Sequence, residues 1–390
     1  MIKIIKKIMK KTNLQLCENV FRRALILSAA LFILCMPSLS KFIEQSDSTL
    51  NDIELFKSAV QINEQNNAIF PVLMQCGFDK EYSLLKDSIL IGISTHGMSA
   101  DEAIGRYFHW FFKNFDRHTL CNTKFFGQLM PIGFVNYQEV IPQYDPQPIG
   151  CKVDEDTYLL RLPSCSGDAP TMDWLQGKKD EFLKSGCKDL ILDLRGNAGG
   201  RDAYSLLFTE MMCDCSAMKD EQIMYLNSSE NNKMLRNMYE ANPDTTFLRV
   251  LNEAESTPAG TLINWSTTLK GTDGYSPLVR KGAIIIDNFC ASAGESPIRM
   301  VRNYSKNHAI VYGREHTMGA DKSGNCNMIQ LPGSNICITY PTLVDMAIRE
   351  TCRNKTPGHA PDIIIPLPYP QQLTDNIDEW VLWVAKKMKE

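Results

Sequence analysis

The chain has 390 residues, of which 44% are hydrophobic and 22% are charged, with a formal net charge of −4. This composition excludes wholesale disorder, because enough apolar side chains are present to form a core. The length allows one large domain with an appendage, or two medium-sized domains.

Residues 1–40 are typical of an export signal. Seven basic residues precede or flank a short apolar run, Ala24 to Met36, and Ser38-Leu39-Ser40 offers small residues where a signal peptidase cleaves. The apolar run is shorter than the roughly 20 residues of a comfortable membrane span. We therefore predict a signal peptide over 1–40 and a periplasmic or secreted protein that is free of the membrane after cleavage. The alternative is an uncleaved membrane anchor.

Removal of residues 1–40 takes away seven basic groups and one acid, and so changes the formal charge from −4 to −10. A chain with this charge repels polyanions. The charge therefore argues against nucleic acid or an anionic membrane surface as the main partner.

Thirteen cysteines are present, an odd number that leaves at least one thiol unpaired. Export permits disulfides, but their connectivity does not follow from the sequence. Cys213-Asp214-Cys215 has no second Cys or His pair at zinc-like spacing. We predict no metal site, and we expect most of the cysteines to be small buried hydrophobic residues.

The first predicted elements after the signal are helices. Apolar residues recur at helical spacing between residues 46 and 115, and Ser99-Ala100-Asp101-Glu102 is typical of a helix start. We predict a small helical N-terminal domain at 41–117, followed by a catalytic domain at 118–390.

The later part of the chain alternates strands and helices. The pattern predicts a strand at Thr157–Leu162, a helix at Thr171–Ser185, a strand at Asp189–Leu194, a helix through Met211, a strand at Ala283–Asp287 and a helix from about Ala293. The near-continuous apolar strands are typical of a sheet that is covered on both faces, which favours an α/β core. Residues 214–277 are polar and poorly periodic, and we expect them to form a lid or an edge insertion. A hairpin is predicted after residue 325, with its turn at Pro332–Asn335, and a C-terminal helix is predicted over residues 370–388.

Two turns after buried strands carry candidate chemistry. The first, Gly196-Asn197-Ala198-Gly199-Gly200, exposes backbone amides to which a substrate carbonyl could come close. By itself it could equally be a phosphate-binding turn or a tight structural turn. The second, Asn288 to Glu295, places Ser292 among small residues between a strand and a helix. That position suits a nucleophile, but it also suits an ordinary helix N-cap.

Four segments, in this order, resemble the motifs of the C-terminal processing (tail-specific) serine peptidases. They are Leu190–Gly200, Ala291–Glu295, Gly313 with Thr317-Met318-Gly319, and Gly358-His359-Ala360-Pro361-Asp362-Ile363. The resemblance implies an α/β fold of the crotonase/ClpP-like kind, a spiral of ββα units, and it implies that Ser292 is the nucleophile. It also implies that the oxyanion is bound by the N–H of Ala293 and by that of Gly199 or Gly200.

The residue after Thr317-Met318-Gly319 bears on the general base. One branch of the family carries a lysine there, whereas this chain has Ala320, and Lys322 lies two residues further on. The branch that resembles the tricorn core uses a histidine from before the sheet, and Asp116-Arg117-His118-Thr119 resembles its D-G-H-T element. The resemblance therefore implies His118 as the base, with Lys322 as the alternative.

In the same branch a glutamate orients the histidine, and Glu350 is at the matching position. A serine that precedes the histidine joins this relay in the tricorn core, but Arg117 occupies its place here. Thr119 or a water could substitute for it. The stretch between His118 and Thr157 is too short for the PDZ domain that many members carry, so other segments must contact the substrate.

These observations predict an exported serine peptidase that cleaves peptide or protein substrates through a Ser292 acyl-enzyme. It would need no metal and no organic cofactor. One alternative is a catalytically inactive peptide- or ligand-binding protein on the same fold, which the Arg117 and Ala320 departures motivate. Another is an acyl-CoA-type crotonase, against which export argues. The sequence makes no prediction of the oligomeric state.

Overall fold

The computed structural model describes residues 52–129, 135–167, 169–214, 222–266, 277–306, 309–352 and 358–390. The predicted signal peptide at 1–40 and Cys215 lie outside these ranges. Within them, no helix combines the length and the apolar character that crossing a bilayer requires.

The elements are as follows. The α-helices are α1 (Asp52–Asn66), α2 (Ile69–Gln75), α3 (Asp79–His96), α4 (Ala100–Asn114), α5 (Lys124–Leu129), α6 (Tyr137–Val140), α7 (Met172–Ser185), α8 (Asp202–Thr209), α9 (Ser229–Ala241), α10 (Thr245–Ser256), α11 (Ser296–Tyr304), α12 (Ile348–Thr351) and α13 (Glu379–Lys389). The strands are β1 (Leu120–Cys121), β2 (Gln143–Tyr144), β3 (Ile149–Lys152), β4 (Thr157–Arg161), β5 (Asp189–Asp193), β6 (Ile223–Leu226), β7 (Leu262–Asn264), β8 (Lys281–Ile285), β9 (Ala309–Gly313), β10 (Ser323–Gln330), β11 (Cys337–Asp345), β12 (Ile363–Ile364) and β13 (Gln372–Leu373). Two 3-10 turns span Glu210–Met212 and Ser292–Gly294.

A six-stranded sheet with the order β12-β9-β8-β5-β4-β3 forms one layer of the fold. Its strands are parallel except β3, which pairs antiparallel with β4 at the edge. Leu190 and Leu192 of β5 face a core that α7, α8 and α11 complete, whereas Ile191 faces a core with Trp380 and Val384 of α13. Burial on both faces explains the continuous apolar strands, and the fold is mixed α/β as predicted.

A second, antiparallel sheet contains β1, β11, β6 and β7 in that order, and β10 pairs with β11. Helices α1 to α4 lie on this sheet. Phe56 and Phe108 of these helices share a core with Ile338 and Val344 of β11. The predicted helical region therefore buries its apolar face against the sheet, and β1 follows it directly.

Several predicted elements are confirmed. Ser99 caps α4, since its side chain accepts a hydrogen bond from the Glu102 N–H. The hairpin β10–β11 occurs with its turn after Gln330. The C-terminal helix starts later than predicted, at Glu379, because the Asp378 carboxylate caps it by accepting from the Trp380 N–H. Six cysteines in the described ranges are buried: Cys121, Cys165, Cys187, Cys213, Cys290 and Cys352.

The described part of the predicted lid or edge insertion at 214–277 is residues 222–266. This part forms β6, α9, α10 and β7, an edge of the antiparallel sheet covered by two helices. Helix α9 buries only Asn231 and Leu235, and α10 buries only Val250, Leu251 and Ala254. Such narrow apolar stripes give little helical periodicity in the sequence.

Candidate active site

Ser292 opens the 3-10 turn between β8 and α11, and its φ of 53° lies in the left-handed region that side chains other than glycine rarely adopt. The turn is closed by hydrogen bonds from Gly294 N to Ala291 O, at 2.8 Å, and from Glu295 N to Ser292 O, at 2.7 Å. Helix α11 begins only at Ser296, with Glu295 at the cap position. Ser292 is therefore not the N-cap of α11, and its half-buried side chain is held on a strained turn, as at other nucleophile turns.

The Glu295 carboxylate holds this turn against the loop that follows β9. It accepts hydrogen bonds from Ser292 N at 3.1 Å, Gly319 N at 2.7 Å, Ala320 N at 2.6 Å and the Thr317 hydroxyl. Complete burial raises its pKa, and the nearby charge of Asp321 raises it further. Ala320, at the position of the family lysine, thus contributes its backbone amide to Glu295.

The glycine-rich turn after β5 touches the nucleophile turn. Gly199 and Gly200 have φ of 99° and 137°, which favours glycine at both positions. A Cβ on Gly199 would lie 2.8 Å from Ser292 Cβ, and one on Gly200 would lie 2.1 Å from Cys165 O. The two turns approach this closely only because Gly199 has no side chain, and Gly200 allows the same turn to approach the backbone at Cys165.

The backbone N–H groups of this turn distinguish Gly199 from Gly200, the two glycines predicted as alternatives for binding the oxyanion. Gly199 N donates to Asn197 Oδ1 at 2.9 Å, so this N–H is already used within the turn. Gly200 and Ala293, in contrast, line the same cavity of about 120 Å³ as Ser292. In the described part of the chain, neither of their N–H groups has an acceptor. The pair Ala293 and Gly200 is therefore available to bind an oxyanion.

His118 is buried at the start of β1, and its Nδ1 lies 2.8 Å from Ser323 Oγ. The Ser323 hydroxyl donates its single proton to Asp116 Oδ1, at 2.5 Å. Ser323 Oγ must therefore accept from Nδ1–H of His118. This order of protons leaves the Nε2 lone pair of His118 available, which is the tautomer that a general base requires.

Asp116 anchors this hydrogen-bonded chain. Its Oδ1 also accepts from the backbone N of His118 at 3.1 Å, and its Oδ2 accepts from the Thr119 hydroxyl at 2.6 Å. Burial by itself raises the pKa of this carboxyl, but the hydrogen bond and charge of His118, with the Ser323 and Thr119 hydroxyls, outweigh burial. The pKa of Asp116 therefore lies below its ordinary value, and Asp116 is an anion at neutral pH.

Arg117 takes no part in this chain. Its guanidinium donates to Phe112 O at 2.5 Å and to Met318 O at 3.2 Å, and it stacks over the Phe112 ring. It thereby links the end of α4 to the loop after β9. Ser323, from the start of β10, occupies the relay position that Arg117 leaves open.

Ser323 lines the same cavity as Ser292, Ala293 and Gly200, so the residue that contacts His118 Nδ1 belongs to the wall of the Ser292 cavity. The structure does not bring Glu350 or Lys322 to this cavity. Both line a second cavity, Glu350 is exposed on α12, and Lys322 Nζ lies 3.8 Å from Asp321 Oδ2. The expected contact between Glu350 and His118 is thus replaced, because Ser323 and Asp116 already occupy the Nδ1 side of the imidazole.

Sequence reasoning missed Asp116 and Ser323 as partners of His118. The sequence did indicate Asp116, since it stands two residues before His118 in Asp116-Arg117-His118-Thr119. It did not indicate Ser323, because 205 residues separate Ser323 from His118. Across the described ranges, no group of three or more His, Cys, Asp or Glu side chains is placed to hold a metal ion.

Residues 156–365 match the model of Peptidase family S41. Similar solved structures include a putative peptidase from Parabacteroides merdae, with 15% identity, a TM-score of 0.43 and coverage of 81% of this chain and 90% of that chain. A putative S41 protease from Bacteroides fragilis has 16% identity, a TM-score of 0.37 and coverage of 64% and 58%. The photosystem II D1 C-terminal processing protease has 16% identity, a TM-score of 0.31 and coverage of 58% and 49%. A comparison with curated proteins found no match.

Proposed function

Because this chain belongs to peptidase family S41 and is a serine-type peptidase, we propose that it cleaves peptide bonds with Ser292 as nucleophile and His118 as general base. The observation that carries this proposal is the hydrogen-bonded chain of Asp116, Ser323 and His118, which occupies Nδ1 of His118 and leaves Nε2 as the ring nitrogen that can accept the proton of Ser292. Ser323, the middle residue of this hydrogen-bonded chain, lines the cavity that Ser292 lines, whereas Lys322 lines the second cavity, and this supports the histidine rather than the lysine branch of the family.

The first half of the reaction forms an acyl-enzyme. Ser292 Oγ attacks the peptide carbonyl carbon as His118 Nε2 takes its proton. The imidazolium is stabilised by the Asp116 anion through Ser323, and the new oxyanion accepts from the N–H groups of Ala293 and Gly200. The C–N bond then breaks, and His118 returns the proton to the leaving amine.

In the second half, His118 Nε2 takes a proton from water, which attacks the acyl carbon and forms the second tetrahedral intermediate. The same two amides bind its oxyanion. Ser292 Oγ leaves with the proton from His118, so the enzyme returns to its starting state.

We also propose that the protein is exported and loses residues 1–40, for which the basic and apolar pattern of these residues is the support. The proposed architecture is the crotonase/ClpP-like spiral. Its support is the succession β4-α7-β5 and β8-α11-β9 of parallel strands joined by helices. Amino-terminal sequencing of the secreted or periplasmic protein tests the export proposal, since an intact Met1 would contradict cleavage.

A fluorophosphonate probe tests the catalytic proposal, because it labels only an activated serine. We expect labelling of the wild type, and loss of labelling in Ser292→Ala and His118→Ala. Lys322→Ala and the exposed-helix control Ser88→Ala should label at the wild-type rate. Equal labelling of Ser292→Ala would overturn the nucleophile assignment, and loss in Lys322→Ala with retention in His118→Ala would assign the base to Lys322. If the folded wild type is never labelled, the result would favour the alternative of a catalytically inactive peptide-binding protein on this fold.

A further inference from the structure

A second cavity, of about 720 Å³, adjoins the cavity of Ser292. The two share Arg299 of α11 and Asp345 at the end of β11 as wall residues. A peptide in extended conformation advances about 3.3 Å per residue, so neighbouring residues of one substrate reach from one cavity into the next. We call this second space the basic cavity, because of the charges described next.

The charges that line the basic cavity are mostly positive. Within the described part of the chain they are the cations Arg299, Arg302, Lys322 and Arg349 and the carboxylates Asp345 and Glu350. The sign is opposite to that of the whole chain, whose formal charge is −4. A concave surface of one sign concentrates the opposite charge, so the basic cavity attracts anions.

Two of these cations are matched by carboxylates. Arg299 lies 3.1 Å from an oxygen of Asp345, and Arg302 lies 2.9 Å from an oxygen of Asp362. These two pairs contribute little net charge to the basic cavity.

The other two cations are not matched to the same degree. Lys322 Nζ is 3.8 Å from Asp321 Oδ2, and that oxygen already accepts from His359 Nε2 at 2.8 Å. The guanidinium of Arg349 donates to the neutral side-chain oxygen of Gln75 at 2.5 Å. Lys322 and Arg349 together outweigh the one further carboxylate of the lining, Glu350, and supply the surplus positive charge, so an anionic group that reaches them would gain charge-assisted hydrogen bonds.

We propose that the basic cavity is a substrate subsite that binds a carboxylate of the peptide while a neighbouring peptide bond lies at Ser292. The carboxylate belongs to an Asp or Glu side chain or to the carboxyl terminus of the peptide. This inference rests on the proposed peptidase function. It gives Lys322 a role in selecting substrates rather than in taking the proton of Ser292.

The test is a cleavage profile on a library of peptides from a digested proteome, read by mass spectrometry. The enzymes are the wild type, Lys322→Glu, Arg349→Glu and the matched control Lys184→Glu, on the exposed end of α7. We expect the wild type and the control to enrich Asp or Glu at one fixed subsite. Each cavity variant should reduce that enrichment by about two- to fivefold, the range of an accessible ion pair.

A second library with amidated carboxyl termini separates the two sources of the carboxylate. Cleavage at a fixed distance from the peptide end that disappears on amidation assigns the subsite to the terminus. Cleavage that follows Asp or Glu in both libraries assigns it to the side chain.

Fluorophosphonate labelling of the same samples separates this inference from the peptidase proposal. A labelled wild type with no preference for a carboxylate overturns the subsite alone, as does equal enrichment by Lys322→Glu and Lys184→Glu. A folded wild type that neither labels nor cleaves overturns both.

Discussion

The Oγ atom of Ser323 lies 2.8 Å from Nδ1 of His118. The two residues come from different strands of the antiparallel sheet, Ser323 from the start of β10 and His118 from just before β1. Because the serine proton is directed to Asp116, the histidine must donate, and its tautomer is determined by a residue 205 positions away in the chain.

Ser323→Ala is expected to lower kcat by about 10- to 100-fold with little change in KM, since the orienting partner of Nδ1 is lost but the cavity keeps its shape. Ser323→Thr should restore part of the rate, because it keeps the hydroxyl. Steady-state kinetics on a cleaved peptide measure both effects. A rise in KM at unchanged kcat would show that Ser323 contacts substrate and does not act through His118.

Asp116→Asn tests the anchor through the pH dependence of stability. The folded-state pKa of Asp116 is depressed, so its contribution to stability is present above the ordinary value of about 3.9 and is lost as the pH falls through the folded value. Melting temperatures measured from pH 2 to pH 7 should therefore fall more steeply on the acid side for the wild type than for Asp116→Asn. Parallel curves would contradict an ionised Asp116.

Asp287 gives the opposite pH dependence. Its carboxylate accepts from Gly196 N and Phe289 N, both at 2.9 Å, yet complete burial raises its pKa to about 7. The folded state therefore holds a proton that the unfolded chain releases, and the contribution of Asp287 to stability is lost as the pH rises through about 7.

The free energy of unfolding of Asp287→Asn, relative to that of the wild type, should rise by up to about 1.4 kcal/mol per pH unit between roughly pH 4 and pH 7. Asp287→Asn also loses one acceptor for a backbone N–H, which changes the free energy of unfolding at every pH. Only the change of this difference with pH therefore tests the raised pKa of Asp287. Urea unfolding at several pH values measures it. The exposed Asp173→Asn serves as control, and an equal slope in both variants would count against the raised pKa.

Gly200→Ala should abolish activity and destabilise the fold, because its Cβ would lie 2.1 Å from Cys165 O at a φ of 137°. Gly177, inside α7, has no atom within 4 Å of the place that a Cβ would take, so Gly177→Ala should stabilise the protein by about 0.5–1 kcal/mol. Thermal unfolding and fluorophosphonate labelling compare the two. Normal labelling of Gly200→Ala would remove Gly200 from the oxyanion site.

Asp378→Ala should lower the free energy of unfolding by about 3–5 kcal/mol, because it leaves two buried guanidinium groups with the single carboxylate of Asp193. Asp378 pairs with Arg161 at 2.8 Å and with Arg195 at 2.6 Å, and all three side chains are buried. The exposed pair of Lys387 and Glu390 is the control, since Lys387→Ala should cost less than about 1 kcal/mol. Urea titrations measure both, and equal losses would contradict the difference in burial.

The parallel sheet and the position of Ser292 on a turn between a strand and a helix were predictable, because they depend on local sequence. A strand buried on both faces is apolar throughout, as Asp189–Asp193 is between its charged ends, and the small residues around Ser292 indicate a close approach of backbones. The position of Ser99 as a helix cap follows from the same kind of local rule.

The partners of His118 were not predictable, because they depend on how two distant strands are aligned. In the sequence, nothing distinguishes Ser323 from other serines at the start of a strand. Its contact with His118 depends on the pairing of β10 with β11. The choice between Gly199 and Gly200 likewise depends on the Asn197 side chain folding back onto the amide of Gly199. Glu350 was selected from its spacing to a motif, but spacing does not determine which end of the sheet a short helix covers.

The division of the site between two sheets has a consequence for fragments of this protein. Ser292 and Gly200 follow strands of the parallel sheet, whereas His118, Asp116 and Ser323 belong to the antiparallel sheet and its helices. The stretch that matches the family, 156–365, begins after His118. A recombinant piece cut at the family boundaries would carry Ser292 and the amides of Ala293 and Gly200, but it would lack His118, the proposed base. Activity therefore depends on the packing of the antiparallel sheet and its helices against the parallel sheet. If this packing is loosened, we expect activity to be lost before the parallel sheet unfolds.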